Sequence, residues 1–214
     1  MNRRVVVSLV LAGLLSASPV LSQQRTLDAK SLDVVNRTAS GFTDGARLGV
    51  HLSAAAGEGL AYLRGVDLGD GTIELDIRGK DVEGQSFVGV AFHGVDDSTY
   101  DAVYWRPFNF KTDDPMRHKH AVQYVAQPRY PWSKLRNEHP GEYERPVNPA
   151  PDPNGWFHVR VVIARPTVSA YVGDATEPSL VVTLLNDRRR GRVGLWVGNG
   201  SDGDFANLKI VPKE

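Results

Sequence analysis

Short runs in which apolar and polar residues alternate recur along most of the chain, broken by Gly, Asp, Asn and Pro. A period of two puts successive side chains on opposite faces of a strand, so each run presents one apolar and one polar face. The pattern predicts about eleven strands, over 47–53, 59–63, 71–79, 87–94, 100–106, 120–126, 156–164, 167–172, 180–184, 191–198 and 205–211. No long segment sustains the 3.6-residue period of an amphipathic helix. Strands that are apolar on one side need a partner layer, so the expected fold is all-β, a two-sheet antiparallel β-sandwich. Asp70-Gly71 and Asp96-Asp97-Ser98 supply the turn chemistry expected between neighbouring antiparallel strands.

Residues 107–155 break the rhythm. Apart from the strand at 120–126, they combine Phe108, Phe110, His118, Tyr130, Trp132, Arg136, Glu138, His139, Tyr143 and Glu144 with several prolines. A connection this long in a small domain is either functional or disordered, and its aromatic content argues against disorder. Residues 133–139 are expected to form one helical turn capped by Ser133.

The amino terminus has a different character. Asn2, Arg3 and Arg4 precede an apolar run over 5–15 and then Ser16, Ala17, Ser18 and Pro19, the basic, apolar, small-residue order of a secretory signal peptide. Residues 1–22 are therefore expected to be removed, leaving 23–214 as a single exported domain, periplasmic or secreted. The run is too short to span a bilayer comfortably, and no second one follows it. With no cysteine, the domain must be stabilised by its core rather than by disulfides. The whole chain balances 25 basic against 25 acidic side chains, and loss of Arg3 and Arg4 leaves 23 against 25. Such a balance supplies no electrostatic attraction for nucleic acid or an anionic membrane.

The segments "WFHVRVVIARPTVSAYVGDATEPSLVV" and "GRVGLWVGNGSDGDFANLKI" resemble the closing strands of concanavalin A-like lectin/glucanase domains, laminin-G-like jelly rolls among them. The resemblance extends to "GTIELDIRG", "SFVGVAFHG" and "YDAVYWRPF", in the order that fold uses them, and so covers essentially all of residues 23–214. It implies a jelly roll whose relatives include glycoside hydrolases, polysaccharide lyases, 3-keto-disaccharide hydrolases and non-catalytic sugar-binding modules. A carbohydrate partner follows from it, as does a structural Ca²⁺ held by Asp204, the position matching the calcium-binding Asp of the final strand.

Catalytic signatures are sparse. Retaining glucanases of this fold carry Glu-x-Asp-x-(x)-Glu on one strand, because a nucleophile and an acid/base must flank the scissile bond. Here Glu74 and Asp76 are followed by Arg78 and Gly79 where the second Glu belongs, so Glu74, Asp76 and Arg78 read as a solvated strand face. Gly198-Asn199-Gly200-Ser201-Asp202-Gly203 reads as a turn rather than a serine elbow. His118 and His120 have the spacing of a shared strand face but lack a dependable third metal ligand, and read as exposed or hydrogen-bonded side chains.

What remains suits sugar recognition, in which flat rings stack on a pyranose while Arg, Gln and His bond its hydroxyls. The candidate contacts are His93, Tyr104, Arg106, His120, Gln123, Trp132 and Arg136. Tyr104 and Arg106 share one strand face, and His93 ends the neighbouring strand on the side of Gly89 and Ala91. His120 and Gln123 differ in parity, so they meet in one groove only at a bulge or strand end. Trp132, in a Pro-rich segment, is the expected stacking platform. Truncating Arg106 or Trp132 is expected to weaken binding with little change in melting temperature. Three classes fit these residues: a binding module, a glycoside hydrolase or lyase, and a structural or protein-binding sandwich.

Overall fold

A computed structural model describes residues 23, 24 and 26–213; the expected signal peptide, 1–22, lies outside the described residues. In chain order the strands are β1 (Gln23–Gln24), β2 (Leu32–Val35), β3 (Ala39–Asp44), β4 (Arg47–Leu52), β5 (Gly59–Leu68), β6 (Gly71–Arg78), β7 (Val88–Gly94), β8 (Tyr100–Trp105), β9 (Val122–Gln127), β10 (Glu144–Arg145), β11 (Trp156–Ala164), β12 (Thr167–Val172), β13 (Leu180–Thr183), β14 (Gly191–Val197) and β15 (Gly203–Pro212). Two short helices, α1 (Pro115–His118) and α2 (Trp132–Glu138), interrupt the segment between β8 and β10.

The strands form two antiparallel sheets. The first runs β13-β12-β11-β6-β15-β4-β3, with β1 beside β15 beyond the reach of β4; the second runs β10-β9-β8-β7-β14-β5-β2. Alternation builds the core between them. Ile73, Leu75 and Ile77 of β6 and Val159, Val161 and Ile163 of β11 point inward and are fully buried, while the residues between them stay half-exposed. Val88, Val90 and Phe92 of β7, with Val103 and Trp105 of β8, close the layer from the second sheet. Each such side chain contributes roughly 1.5–3 kcal/mol relative to exposure, which is how a domain without disulfides is held together.

The structure adds detail that the alternation does not carry. Strands β2 and β3 are largely half-buried or exposed, so their apolar periodicity is weak, and β10 is a two-residue edge. Asp70-Gly71 joins β5 to β6, which lie in different sheets; it is a corner rather than a hairpin. The turn after β7 does join neighbours, closed by Val95 N–H donating to the Thr99 carbonyl at 2.9 Å. Helix α2 is capped two residues earlier than expected, with Pro131 at its N-cap in place of Ser133 and no side-chain cap.

Strands β7 and β8 are buried on both faces, unlike β6 and β11. The segment containing α2 and β10 lies against β9, so the outer face of the second sheet is partly covered.

Candidate functional site

The site starts from a glycine. Val88 of β7 faces the first sheet, where its methyl groups approach Gly79 and Gly203, so Gly89 must face outward. Pairing places Glu144, Gln123, Tyr104, Gly89, Trp196 and Leu60 in one row across the outer face. A Cβ at Gly89 would lie 2.2 Å from the Val103 carbonyl oxygen. Its absence lets Tyr104 and Trp196 lean over β7 until their rings stack with centroids 4.6 Å apart. Their strands lie two sheet spacings apart, roughly 10 Å.

Arg106, just past β8, extends along the same face and is 5% exposed. Its Nη1 donates to the His120 carbonyl at 2.7 Å and its Nη2 to Tyr104 Oη at 2.8 Å and to Gln123 Oε1 at 2.5 Å. Tyr104 Oη in turn donates to Gln123 Oε1 at 3.2 Å, while Gln123 Nε2 is buried without a partner. Burial pushes the Tyr104 phenol up to about 12, which keeps it a neutral donor at physiological pH. Burial also lowers the pKa of Arg106, since taking a cation out of water disfavours its charged form.

Glu144, 3% exposed at the end of the row, gathers the remaining cations. Arg136 of α2 grips it with both prongs, Nε to Oε1 at 3.0 Å and Nη2 to Oε2 at 2.7 Å. His120 Nδ1 sits 2.8 Å from Oε2, out of line for a hydrogen bond. Burial lowers the pKa of His120 against the opposing pull of Glu144, which favours the neutral imidazole near pH 7. Trp132, four residues before Arg136 and on the same helical face, is 46% exposed, with the Arg136 guanidinium 4.9 Å from its ring centroid.

Tyr104, Arg106, His120, Trp132 and Arg136 line a groove of about 440 Å³, while Gln123 and Glu144 are buried behind these side chains. Phe87, Trp196 and Glu58 complete its other side. Glu58 accepts from Gln127 Nε2 at 2.9 Å and from the Tyr100 hydroxyl, which also accepts from Trp196 Nε1 at 3.2 Å.

Of the residues expected from the sequence, the structure brings Tyr104, Arg106, His120, Trp132 and Arg136 to one groove and places Gln123 beneath its floor. His120 and Gln123 meet there because His120 precedes β9 and is freed from strand parity. His93 is elsewhere. It has a positive φ of 51° where β14 shifts register against β7, and the bend turns its ring away from the groove. The ring is fully buried, with Nδ1 3.4 Å from Asp101 Oδ2 and Nε2 3.4 Å from the Gly69 carbonyl. Arg106 is also more embedded than expected, so truncating it would strip partners from Tyr104, Gln123 and the His120 carbonyl. Sequence reasoning missed Glu58, Phe87 and Trp196 as groove residues. For Trp196 the signal is its register opposite Gly89, which appears only once β14 is known to pair with β7.

Asp204, the expected calcium ligand, is engaged by other side chains: its Oδ1 lies 2.7 Å from His51 Nδ1, and its Oδ2 accepts from Arg78 Nε at 2.9 Å. A Ca²⁺ ion, which takes six or more oxygen ligands, would have to share or displace these contacts. Among the described residues no group of three or more His, Cys, Asp or Glu converges to hold a metal.

Two facing antiparallel sheets with a groove on one outer face make a β-sandwich of the jelly-roll type. No family model and no curated protein matches the sequence. Solved structures of the same fold do. The carbohydrate-binding module CBM66 from Bacillus subtilis has 16% identity and a TM-score of 0.59, over 89% of this chain and 98% of that one. The VIP36 exoplasmic/lumenal domain in its Ca²⁺/Man3GlcNAc-bound form has 11% identity and a TM-score of 0.56, over 90% and 88%. The β-glucanase of Bacillus licheniformis has 16% identity and a TM-score of 0.51, over 94% and 95%.

Proposed function

We propose that this is an exported carbohydrate-binding sandwich that holds a glycan or glycoside in the groove on the outer face of its second sheet. The observation that carries the reading is the groove's composition: an exposed Trp132 ring beside Arg106, His120 and Arg136, over a floor of stacked Tyr104 and Trp196. Aromatic surface beside pre-oriented polar groups is what a pyranose, with one apolar face and a rim of hydroxyls, requires. Neighbours of the same fold that include a carbohydrate-binding module and a Man3GlcNAc-bound domain support it. Export rests on the order of residues 1–22, and intact-mass analysis of protein recovered outside the cytoplasm tests it: a chain beginning at Gln23 is expected. Among the described residues, no helix is long and apolar enough to cross a membrane.

A glycan-array screen followed by calorimetry on the best binder tests the saccharide. Trp132→Ala should weaken binding by about 1 kcal/mol, the scale of a lost aromatic contact, with the melting temperature unchanged. A purified, folded protein that captures no saccharide would refute the reading.

A second reading, acid/base chemistry on the bound sugar, is favoured by the His120–Glu144 pair, in which a neutral imidazole sits beside a buried carboxylate. Product analysis on whatever saccharide binds separates the two: new reducing or unsaturated ends establish turnover, and an unaltered ligand establishes a binding module.

A further inference from the structure

The charges around the groove do not cancel locally. Arg117, at one rim, is paired with Glu83 at 3.0 Å. At the other side Arg106, Arg136 and His120 converge on the single carboxylate of Glu144. Arg136 occupies both of its oxygens. Arg106 reaches it only at 4.0 Å, and its close contacts are neutral: a hydroxyl, an amide oxygen and a backbone carbonyl. Glu58, which lines the groove with Glu83, is held by Tyr100 and Gln127 and forms no ion pair with these cations among the described residues. A guanidinium 5% exposed is thus left without a close counter-ion in a groove open to ligand.

Burying a charge is costly unless it is paired, and Arg106 is held here by a hydrogen-bond network that fixes its orientation without neutralising it. Neutral hydroxyls can bond a guanidinium but leave its charge uncompensated, whereas a planar carboxylate or a sulfate ester would supply the missing charge with matching geometry.

Resting on the saccharide reading above, we propose that the groove selects acidic saccharides, with a carboxylate or sulfate of the sugar seated against Arg106 and Arg136. The stacking surfaces of Trp132 and Phe87 then take the ring, and Glu58 at the far side accepts from hydroxyls.

The test is a binding panel on the intact protein. Uronate-containing glycans are compared with the same glycans after carboxyl reduction, sulfated glycans are compared with their desulfated forms, and a set of neutral glycans is included. For the glycans that bind, the acidic form should be held at least about tenfold more tightly than its neutralised form, the scale of one charge-assisted hydrogen bond. That advantage should shrink as salt rises from 50 to 500 mM. The carboxyl-reduction and desulfation arms identify which acid group is read. Arg136→Gln should remove most of the advantage of the acidic form over its neutralised form, both measured on the variant, and an unchanged far-ultraviolet dichroism spectrum shows that the variant is folded. Equal binding of acidic and neutralised forms, or binding of neutral glycans alone, overturns the acidic preference and leaves the saccharide reading standing. Failure to bind any member of the panel overturns both.

Discussion

The two outer faces of this sandwich are built from the same residue types and solve opposite problems. On the first sheet, Trp156, Arg78, Asp204 and His51 lie in register across β11, β6, β15 and β4. The next rows set His158 beside Asp76, and Arg160, Glu74 and Lys209 side by side. Signs alternate from strand to strand and acids meet bases: Arg78 bonds Asp204 at 2.8 Å, His158 reaches Asp76 at 2.9 Å and Lys209 reaches Glu74 at 3.4 Å. This is a solvated face that neutralises itself. On the second sheet two guanidinium groups and a neutral imidazole lie against one deeply buried carboxylate, and aromatic rings line the groove beside them. Opposite charges on adjacent strands produce a quiet surface, whereas a buried guanidinium whose close contacts are all neutral leaves a place for a charged partner.

The comparison is broken most severely at Glu144. Glu144→Ala removes the bidentate partner of Arg136 and the nearest negative charge to Arg106, and should cost about 3–5 kcal/mol in chemical denaturation, the penalty for stranding buried charge. A loss under about 1 kcal/mol would show that the cations are better solvated than their burial implies.

Gly89→Ala comes next. The new methyl meets the Val103 carbonyl and the Tyr104 backbone, so it should cost about 1–3 kcal/mol and drive Tyr104 and Trp196 apart. Denaturation together with the near-ultraviolet dichroism of the stacked rings reads both effects.

On the first sheet the expected effects are smaller and depend on pH. The His158 hydrogen bond holds Asp76 down at about 2, so its stabilisation is present above the ordinary carboxylate value near 3.8 and fades as the pH falls toward 2. The same bond raises His158, whose contribution is complete below its ordinary 6.5 and is lost as the pH rises through the elevated folded value. Asp76→Asn should therefore cost about 1 kcal/mol between pH 4 and 6.5, kept small by solvent screening of the exposed imidazole, and should flatten both limbs of a stability–pH profile. A profile identical to that of the parent would dissolve the pair. Smallest of all, Lys209→Ala should change stability by less than about 0.5 kcal/mol, because its partner Glu74 also faces solvent.

Much of the fold was legible because a buried strand face needs apolar residues at every second position. Ile73, Leu75 and Ile77, or Val159, Val161 and Ile163, announce their orientation locally. Strands β2, β3 and β10 were not legible, since edge strands bury too little to impose that period. In the groove, Tyr104 and Arg106 could be assigned to one face by parity, and Trp132 stood out as an aromatic ring in a segment with little strand to pack on. His93 escaped the same logic because a positive φ at a register shift reverses the direction of a side chain, and nothing in "AFHG" marks where the bend falls.

The sequence by itself determined the number of layers, the polar, solvated face of β6 and the concentration of aromatic and cationic residues in 107–155, because each is a property of neighbours along the chain. Only the tertiary structure decided that Glu144 would lie against Arg136, Arg106 and His120, that Gly89 would let Tyr104 and Trp196 stack over β7, and that Asp204 would be paired with Arg78 and His51. Those outcomes depend on which strands become neighbours and in what register. Pairing is settled by the joint burial of both sheets, a quantity that no local stretch of sequence contains.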